Sequence, residues 1–123
     1  MLFRSKNSFV TPTLLTGTTT KMKVNAEEVF GPVSIIESFE SIEQAVEKVN
    51  ESRFGLQCGV FTDAIHELEY CFQHIEVGAV IHNESPSLRF DHMPYGGVKD
   101  SGLGREGVKY AMLDYLESRL LVK

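Results

Sequence analysis

The 123-residue chain has only two cysteines, Cys58 and Cys71, and it has no long apolar run, no basic cluster and no low-complexity tract. Each absence removes a class of protein. Two cysteines do not make a disulfide framework, so a cytoplasmic setting with reduced thiols is expected. No segment is long and apolar enough to span a membrane, and Met1-Leu2-Phe3-Arg4-Ser5-Lys6 offers neither an apolar h-region nor a cleavage signal. The net charge is −5, and the basic residues are scattered: Met22 separates Lys21 from Lys23, and Arg105 and Lys109 stand alone. A nucleic-acid surface needs a dense basic patch to release counterions, so no nucleic-acid partner is expected. Of His66, His74, His82 and His92, only His74 has a partner at helical ligand spacing, Cys71. A structural zinc site needs about four ligands, so no metal is expected.

What is present reads as an ordinary globular domain, 42% apolar and 24% charged. Phe9 to Leu15 is rich in β-branched and apolar residues and contains Pro12, which predicts an edge strand followed by a polar turn over residues 16–20. Val33 to Phe39 reads as a second strand. Ser41 and Gln44 form a capping box for a helix whose Ile42, Ala45, Val46 and Val49 make one apolar stripe, and Gly55 closes that unit. Cys58 to Phe61 reads as the next strand. Asp63 is the expected N-cap of a second helix, with Ile65, Leu68, Phe72 and Ile75 on its buried face. Gly78 ends it, and Ala79-Val80-Ile81 is a third short strand.

The order is β-α-β-α-β. Short apolar strands joined by amphipathic helices predict an α/β fold, a parallel sheet with flanking helices. Glu84 to Ser101 reads as a long loop, of a kind that is usually functional or mobile. A third helix is expected from about Arg105, with Val108, Ala111, Met112 and Tyr115 on one face. The tail, residues 116–123, alternates like a strand but has no hairpin partner nearby. A bare strand edge is a template for another chain, so this segment is expected to be an oligomerisation strand following a domain over residues 1–115.

Gly102-Leu103-Gly104-Arg105-Glu106-Gly107 matches G-x-G-x-x-G literally. A dinucleotide fingerprint needs a strand before it, a βαβ unit around it and an acid about twenty positions later. A loop precedes this run and no such acid follows it, so the glycines read as a sharp turn into the last helix. Cys58 lies inside an apolar strand and Cys71 mid-helix. Neither has the electropositive, partly exposed surroundings of a reactive thiolate, and both read as inert core residues. Glu27-Glu28-Val29-Phe30-Gly31-Pro32 sets two carboxylates and an aromatic ring before a turn. It reads either as a solvated turn or as a carboxylate accepting hydrogen bonds from ligand hydroxyls, with Phe30 packed on an apolar ligand face. In the long loop Arg89 could bind an anionic substrate group or pair on the surface with Asp91 or Glu84; Asp91, His92 and Tyr95 lie close to it in sequence.

Together these segments resemble the aldehyde dehydrogenases. Glu27 to Pro32 resembles the family's E-E-x-F-G-P motif, and Pro94-Tyr95-Gly96-Gly97-Val98-Lys99-Asp100-Ser101-Gly102-Leu103-Gly104-Arg105-Glu106 its P-F/Y-G-G-x-K-x-S-G-x-G-R-E run. Phe54-Gly55-Leu56 through Val60-Phe61-Thr62 and Pro12-Thr13-Leu14-Leu15 resemble two further stretches, in the same order and spacing. The resemblance implies NAD(P)-dependent oxidation of an aldehyde to an acid: a cysteine thiolate attacks, hydride passes to the nicotinamide, and a glutamate activates the hydrolytic water. It implies that Glu28 holds the nicotinamide ribose hydroxyls, that Phe30 lies beside that ribose, and that Tyr95 and the loop with Arg89 line the substrate tunnel. The run Arg89-Phe90-Asp91-His92-Met93-Pro94-Tyr95 resembles enzymes for short polar or anionic aldehydes. In the family the cofactor fold, the nucleophile and the base precede E-E-x-F-G-P, whereas the 26 residues before it here contain no cysteine and no acid. The expectation is therefore a C-terminal part of the catalytic domain with no catalytic residue of its own. NAD or NADP would be bound only in the complete enzyme. The expected partners are the missing N-terminal portion or further copies of the chain, with an aldehyde as substrate. The alternative is a non-catalytic assembly module.

Overall fold

The computed structural model describes residues 5–6 and 9–123. The chain divides into two compact units, Met1–Gln44 and Ala45–Lys123, each with its own short ladders.

In the first unit, β1 (Ser5–Lys6) pairs antiparallel with β2 (Phe9–Val10). β3 (Thr13–Leu15) pairs in parallel with β4 (Val33–Ile35), in register from Thr13↔Val33 to Leu15↔Ile35. The segment expected as one edge strand is therefore two strands. They separate at Thr11-Pro12, because proline has no N–H to give a ladder. The strand expected to reach Phe39 stops at Ile35, where the Ile36 N–H closes the ladder on the Leu15 carbonyl at 2.8 Å. A four-residue helix, α1 (Lys23–Ala26), follows the polar turn and had no periodic signal.

The capping box forms ahead of α2 (Ile42–Asn50). The Gln44 N–H donates to Ser41 Oγ at 3.3 Å, and Gln44 Oε1 accepts the Glu40 N–H at 2.7 Å. The reciprocal bond reaches one residue further back than the motif's usual donor.

In the second unit β5 (Phe54–Gly55) is the first strand, and β6 (Gln57–Val60), α3 (Ile65–His74) and β7 (Ala79–His82) then make a β-α-β unit. β6 and β7 are parallel, from Gln57↔Ala79 to Val60↔His82. β5 turns away and pairs antiparallel with β8 (Val98–Lys99), which lies inside the expected loop. The α/β class stands, with parallel strand pairs and flanking helices. Among the described residues the parallel pairing is confined to β3–β4 and β6–β7, as separate two-stranded ladders. Strands of two to four residues offer few ladder bonds, and β5 finds its partner in β8.

α3 starts later than expected. Its N-cap is Ala64, in extended backbone (φ −90°, ψ 106°) with no side-chain cap. The hydroxyl that serves the turn belongs to Thr62 and not to Asp63: Thr62 Oγ1 accepts the Ala64 N–H at 3.1 Å and donates to Glu67. The inner stripe of α3, which packs on β7, is Leu68, Cys71 and Ile75. Ile65 and Phe72, expected inside, are 65% and 72% exposed. They are seven apart and share a stripe one residue round the helix from Cys71.

Among the described residues the buried hydrophobic ones are Val46, Val60, Cys71, Ile75 and Ile81, all in the second unit. A Cβ on Gly78 would overlap the Gly96 carbonyl oxygen, so glycine is what lets β7 begin against the loop backbone. α4 (Val108–Leu113) begins later than the helix expected from Arg105, and Val108, Met112 and Tyr115 of its expected face are exposed. Residues 116–123 form no strand within the chain, and Leu120, Leu121 and Val122 are exposed. A strand is defined by its ladder partner, and the described residues supply none to the tail. No helix among the described residues is long and apolar enough to cross a membrane.

Candidate functional site

In the first unit the Glu27–Pro32 segment runs from α1 into β4. Glu27 makes a loose i,i+4 ion pair with Lys23 at 3.9 Å, both ends exposed and worth little. Glu28 is exposed and has no ion pair among the described residues. Phe30 sits at φ 47°, in the left-handed region that side chains avoid, and its residue is 90% exposed. Such a conformation costs on the order of 1–3 kcal/mol, and no burial of the ring within this unit offsets it. It is imposed from below: the Pro32 carbonyl accepts the Thr13 N–H at 2.9 Å, and the Val33 N–H donates to the Gly31 carbonyl at 2.7 Å. The paired strand anchors the bend, and the bend turns a carboxylate and an aromatic ring outward. A carboxylate can accept from ligand hydroxyls and an aromatic ring offers an apolar surface, so Glu28 and Phe30 are the residues here that could contact a sugar.

In the second unit the loop before β8 folds back on the glycine run. The Tyr95 N–H donates to the Glu106 carbonyl at 3.1 Å, and the Glu106 N–H donates to the Tyr95 carbonyl at 2.6 Å. On this bridge Arg89 lies over the Tyr95 ring, 4.4 Å from guanidinium carbon to centroid, and donates to Glu106 Oε2 at 3.0 Å. The structure thus brings Arg89 and Tyr95 together. It also corrects the ion pair: Glu106, not Asp91 or Glu84, holds Arg89. Arg89, Asp91, Leu103, Glu106, Val108 and Asp114 are among the residues lining an open groove of about 620 Å³.

The rest of the motif is a frame. Lys99, at φ 53°, sends Nζ to the Asn50 carbonyl at 2.8 Å, the Ser52 carbonyl at 3.0 Å and Glu76 Oε2 at 2.7 Å. Lysine thereby closes the C-terminal end of α2, where carbonyls lack partners. Asp100 pairs with Arg53, and Ser101 Oγ accepts the Gly55 N–H at 2.9 Å. Arg105 donates to the Gly97 and Gly104 carbonyls, closing the loop on itself. Gly102, Gly104 and Gly107 have φ of 132°, 71° and 110°. The strand before them is antiparallel, and they work as turns rather than as a dinucleotide fingerprint.

Cys58 and Cys71 are free thiols, partly and fully buried. Burial pushes both above the usual thiol range, with Cys71 adding to the effect on Cys58 and Glu67 to that on Cys71. A raised thiol is a poor nucleophile at neutral pH. His82 Nε2 is 2.9 Å from the Thr62 carbonyl, and His74 stacks on Tyr70. No group of three or more potential metal ligands occurs among the described residues. Sequence reasoning missed Glu106 as a partner of Arg89. Its only signal was its place in the G-R-E end of the motif, 17 residues away.

Fold and motif placement together define the class of protein. The chain belongs to the aldehyde dehydrogenase family, whose model matches residues 3–121. It is 45% identical over 115 residues to 3-sulfolactaldehyde dehydrogenase of Priestia aryabhattai, covering 94% of this chain and 24% of that protein. It superposes with a TM-score of 0.92 and 45% identity on aldehyde dehydrogenase 21 from Physcomitrella patens in complex with the reaction product succinate, covering 98% of this chain and 25% of that one. Betaine aldehyde dehydrogenase from Staphylococcus aureus in complex with NAD+ gives 0.84 and 37%, covering 90% and 22%. The chain therefore spans about a quarter of the length of the proteins it matches.

Proposed function

We propose that this chain is the part of an NAD(P)-dependent aldehyde dehydrogenase that contacts the nicotinamide ribose and lines the substrate tunnel, and that it has no turnover of its own. Glu28 accepts hydrogen bonds from the ribose hydroxyls and Phe30 packs beside the sugar. The bound nicotinamide supplies the hydride acceptor. Arg89, stacked on Tyr95, orients the anionic end of a short aldehyde. The attacking thiolate and the base come from a polypeptide segment outside this chain, because Cys58 and Cys71 are buried with raised thiols. Residues 1–115 act as the domain part and residues 116–123 pair with another subunit, in the cytoplasm.

One observation carries the substrate class: an arginine held over an aromatic ring at an open groove, with one N–H committed to Glu106 and the others free for an anion. The relatives support it, since one acts on a sulfonated aldehyde by name and one was captured with succinate. The test is to assay the purified chain for aldehyde-dependent NAD(P)H formation, alone and after adding a polypeptide with the N-terminal three quarters of the family's domain. No rate alone and a rate on mixing are expected, lost with Glu28→Ala. Steady turnover by the chain alone overturns the reading.

A further inference from the structure

We propose that Glu106 is a positioning residue that sets how strongly Arg89 favours an anionic aldehyde over a neutral one. The inference rests on the reading of Arg89 as the anion contact. Glu106 meets the tunnel residues in two independent ways. Its backbone exchanges both hydrogen bonds with Tyr95, which fixes the ring that Arg89 lies on. Its carboxylate takes one Arg89 N–H at 3.0 Å, which fixes where the guanidinium stands over that ring. Arg89 is thus pre-oriented from beneath and from one side.

The same carboxylate opposes the substrate. Arg89 and Glu106 both line the open groove, so an anion reaching the remaining guanidinium donors enters beside a like charge. Glu106 therefore works as a built-in competitor that keeps Arg89 from holding any passing anion tightly, while its geometry keeps Arg89 ready. The side chains are 47% and 67% exposed, so water and salt screen the effect. A unit charge about 6 Å from the anion in a near-aqueous dielectric is worth roughly a threefold change in affinity.

The test uses the isotopically labelled chain, titrated with succinate and with neutral succinamide and followed at the Arg89 Nε–H and Tyr95 ring resonances. Wild type is expected to prefer succinate, and Arg89→Ala to lose that preference. Glu106→Gln keeps the backbone bridge and an oxygen for Arg89 but removes the charge. It is expected to bind succinate about threefold tighter with succinamide unchanged, and the gain should shrink as salt rises. Glu106→Asp keeps the charge and withdraws the clamp by one methylene, so it is expected to bind succinate no tighter than wild type. A merely structural Glu106 would not produce an anion-selective, salt-dependent gain. If Arg89→Ala matches wild type, the anion reading of Arg89 falls and takes this inference with it. If Arg89 matters but Glu106→Gln binds succinate like wild type or more weakly, only the role of Glu106 is overturned.

Discussion

Residues 45–123 bury Val46, Val60, Cys71, Ile75 and Ile81, whereas the described residues of the first unit bury no hydrophobic side chain. The contrast extends to the two candidate sites. Arg89 and Tyr95 are held by an ion pair, a cation–π contact and a backbone bridge, above a loop pinned by Lys99, Asp100 and Ser101. Glu28 and Phe30 are held by one strained bend on a three-residue ladder. The second unit carries its own support. The first presents Glu28 and Phe30 on a frame too small to bury a core of its own.

The largest expected effect sharpens that contrast. Ile81→Ala opens a cavity in the second unit and should cost about 2–5 kcal/mol. Leu14→Ala, at a 64% exposed position of the first unit, should cost well under about 1 kcal/mol. Urea unfolding of the two variants, followed by circular dichroism, makes the comparison. Equal losses would mean that the two units share one core.

Lys99→Met comes next. The methionine keeps most of the apolar stem and removes the three contacts to Asn50, Ser52 and Glu76, leaving two carbonyls and a carboxylate without their cation. A loss of about 1–3 kcal/mol is expected. Amide exchange should accelerate at the end of α2 and in β5 and β8 while β3 and β4 stay unchanged. Equal acceleration in both ladder pairs would show that Lys99 supports more than its own unit.

How much of this was legible depended on how far apart the partners sit. The Ser41–Gln44 capping box joins residues three apart, and it formed nearly as read. The likeness carried by Glu27–Pro32 and Pro94–Glu106 named the family, because those runs are long and ordered. Pairing between residues distant in sequence left no local mark: nothing in Phe54-Gly55 pointed to Val98-Lys99, and nothing around Arg89 pointed to Glu106, 17 residues on. On α3, apolar residues occupy two adjacent stripes, and periodicity alone could not show whether Phe72 or Cys71 turns inward.

The thiols give the second unit a pH dependence that the first cannot have, since both cysteines lie in it. Folded Cys58 and Cys71 keep their protons to higher pH than they would unfolded. Where the unfolded chain has shed those protons and the folded chain has not, unfolding is favoured. Their contribution is therefore complete below about pH 8.5, the usual thiol value, and is lost as the pH climbs above it. Urea midpoints at neutral and alkaline pH should show the fall, and a Cys58→Val, Cys71→Val double variant should flatten it. An equally steep fall in the double variant would remove the thiols as the cause.

The smallest expected effect concerns Phe30, where two terms oppose each other. At φ 47° a phenylalanine is strained, and glycine would relieve on the order of 1 kcal/mol. Glycine also frees the unfolded backbone, which costs roughly 0.5–1 kcal/mol. The residue is 90% exposed, so the lost ring removes almost no burial from the chain itself. Phe30→Gly should therefore leave the urea midpoint nearly unchanged, while the mixed, complete enzyme loses affinity for the nicotinamide cofactor. A chain destabilised by well over 1 kcal/mol would show that the ring packs within the first unit after all. An unchanged cofactor affinity would show that the bend is held for some purpose other than the ribose.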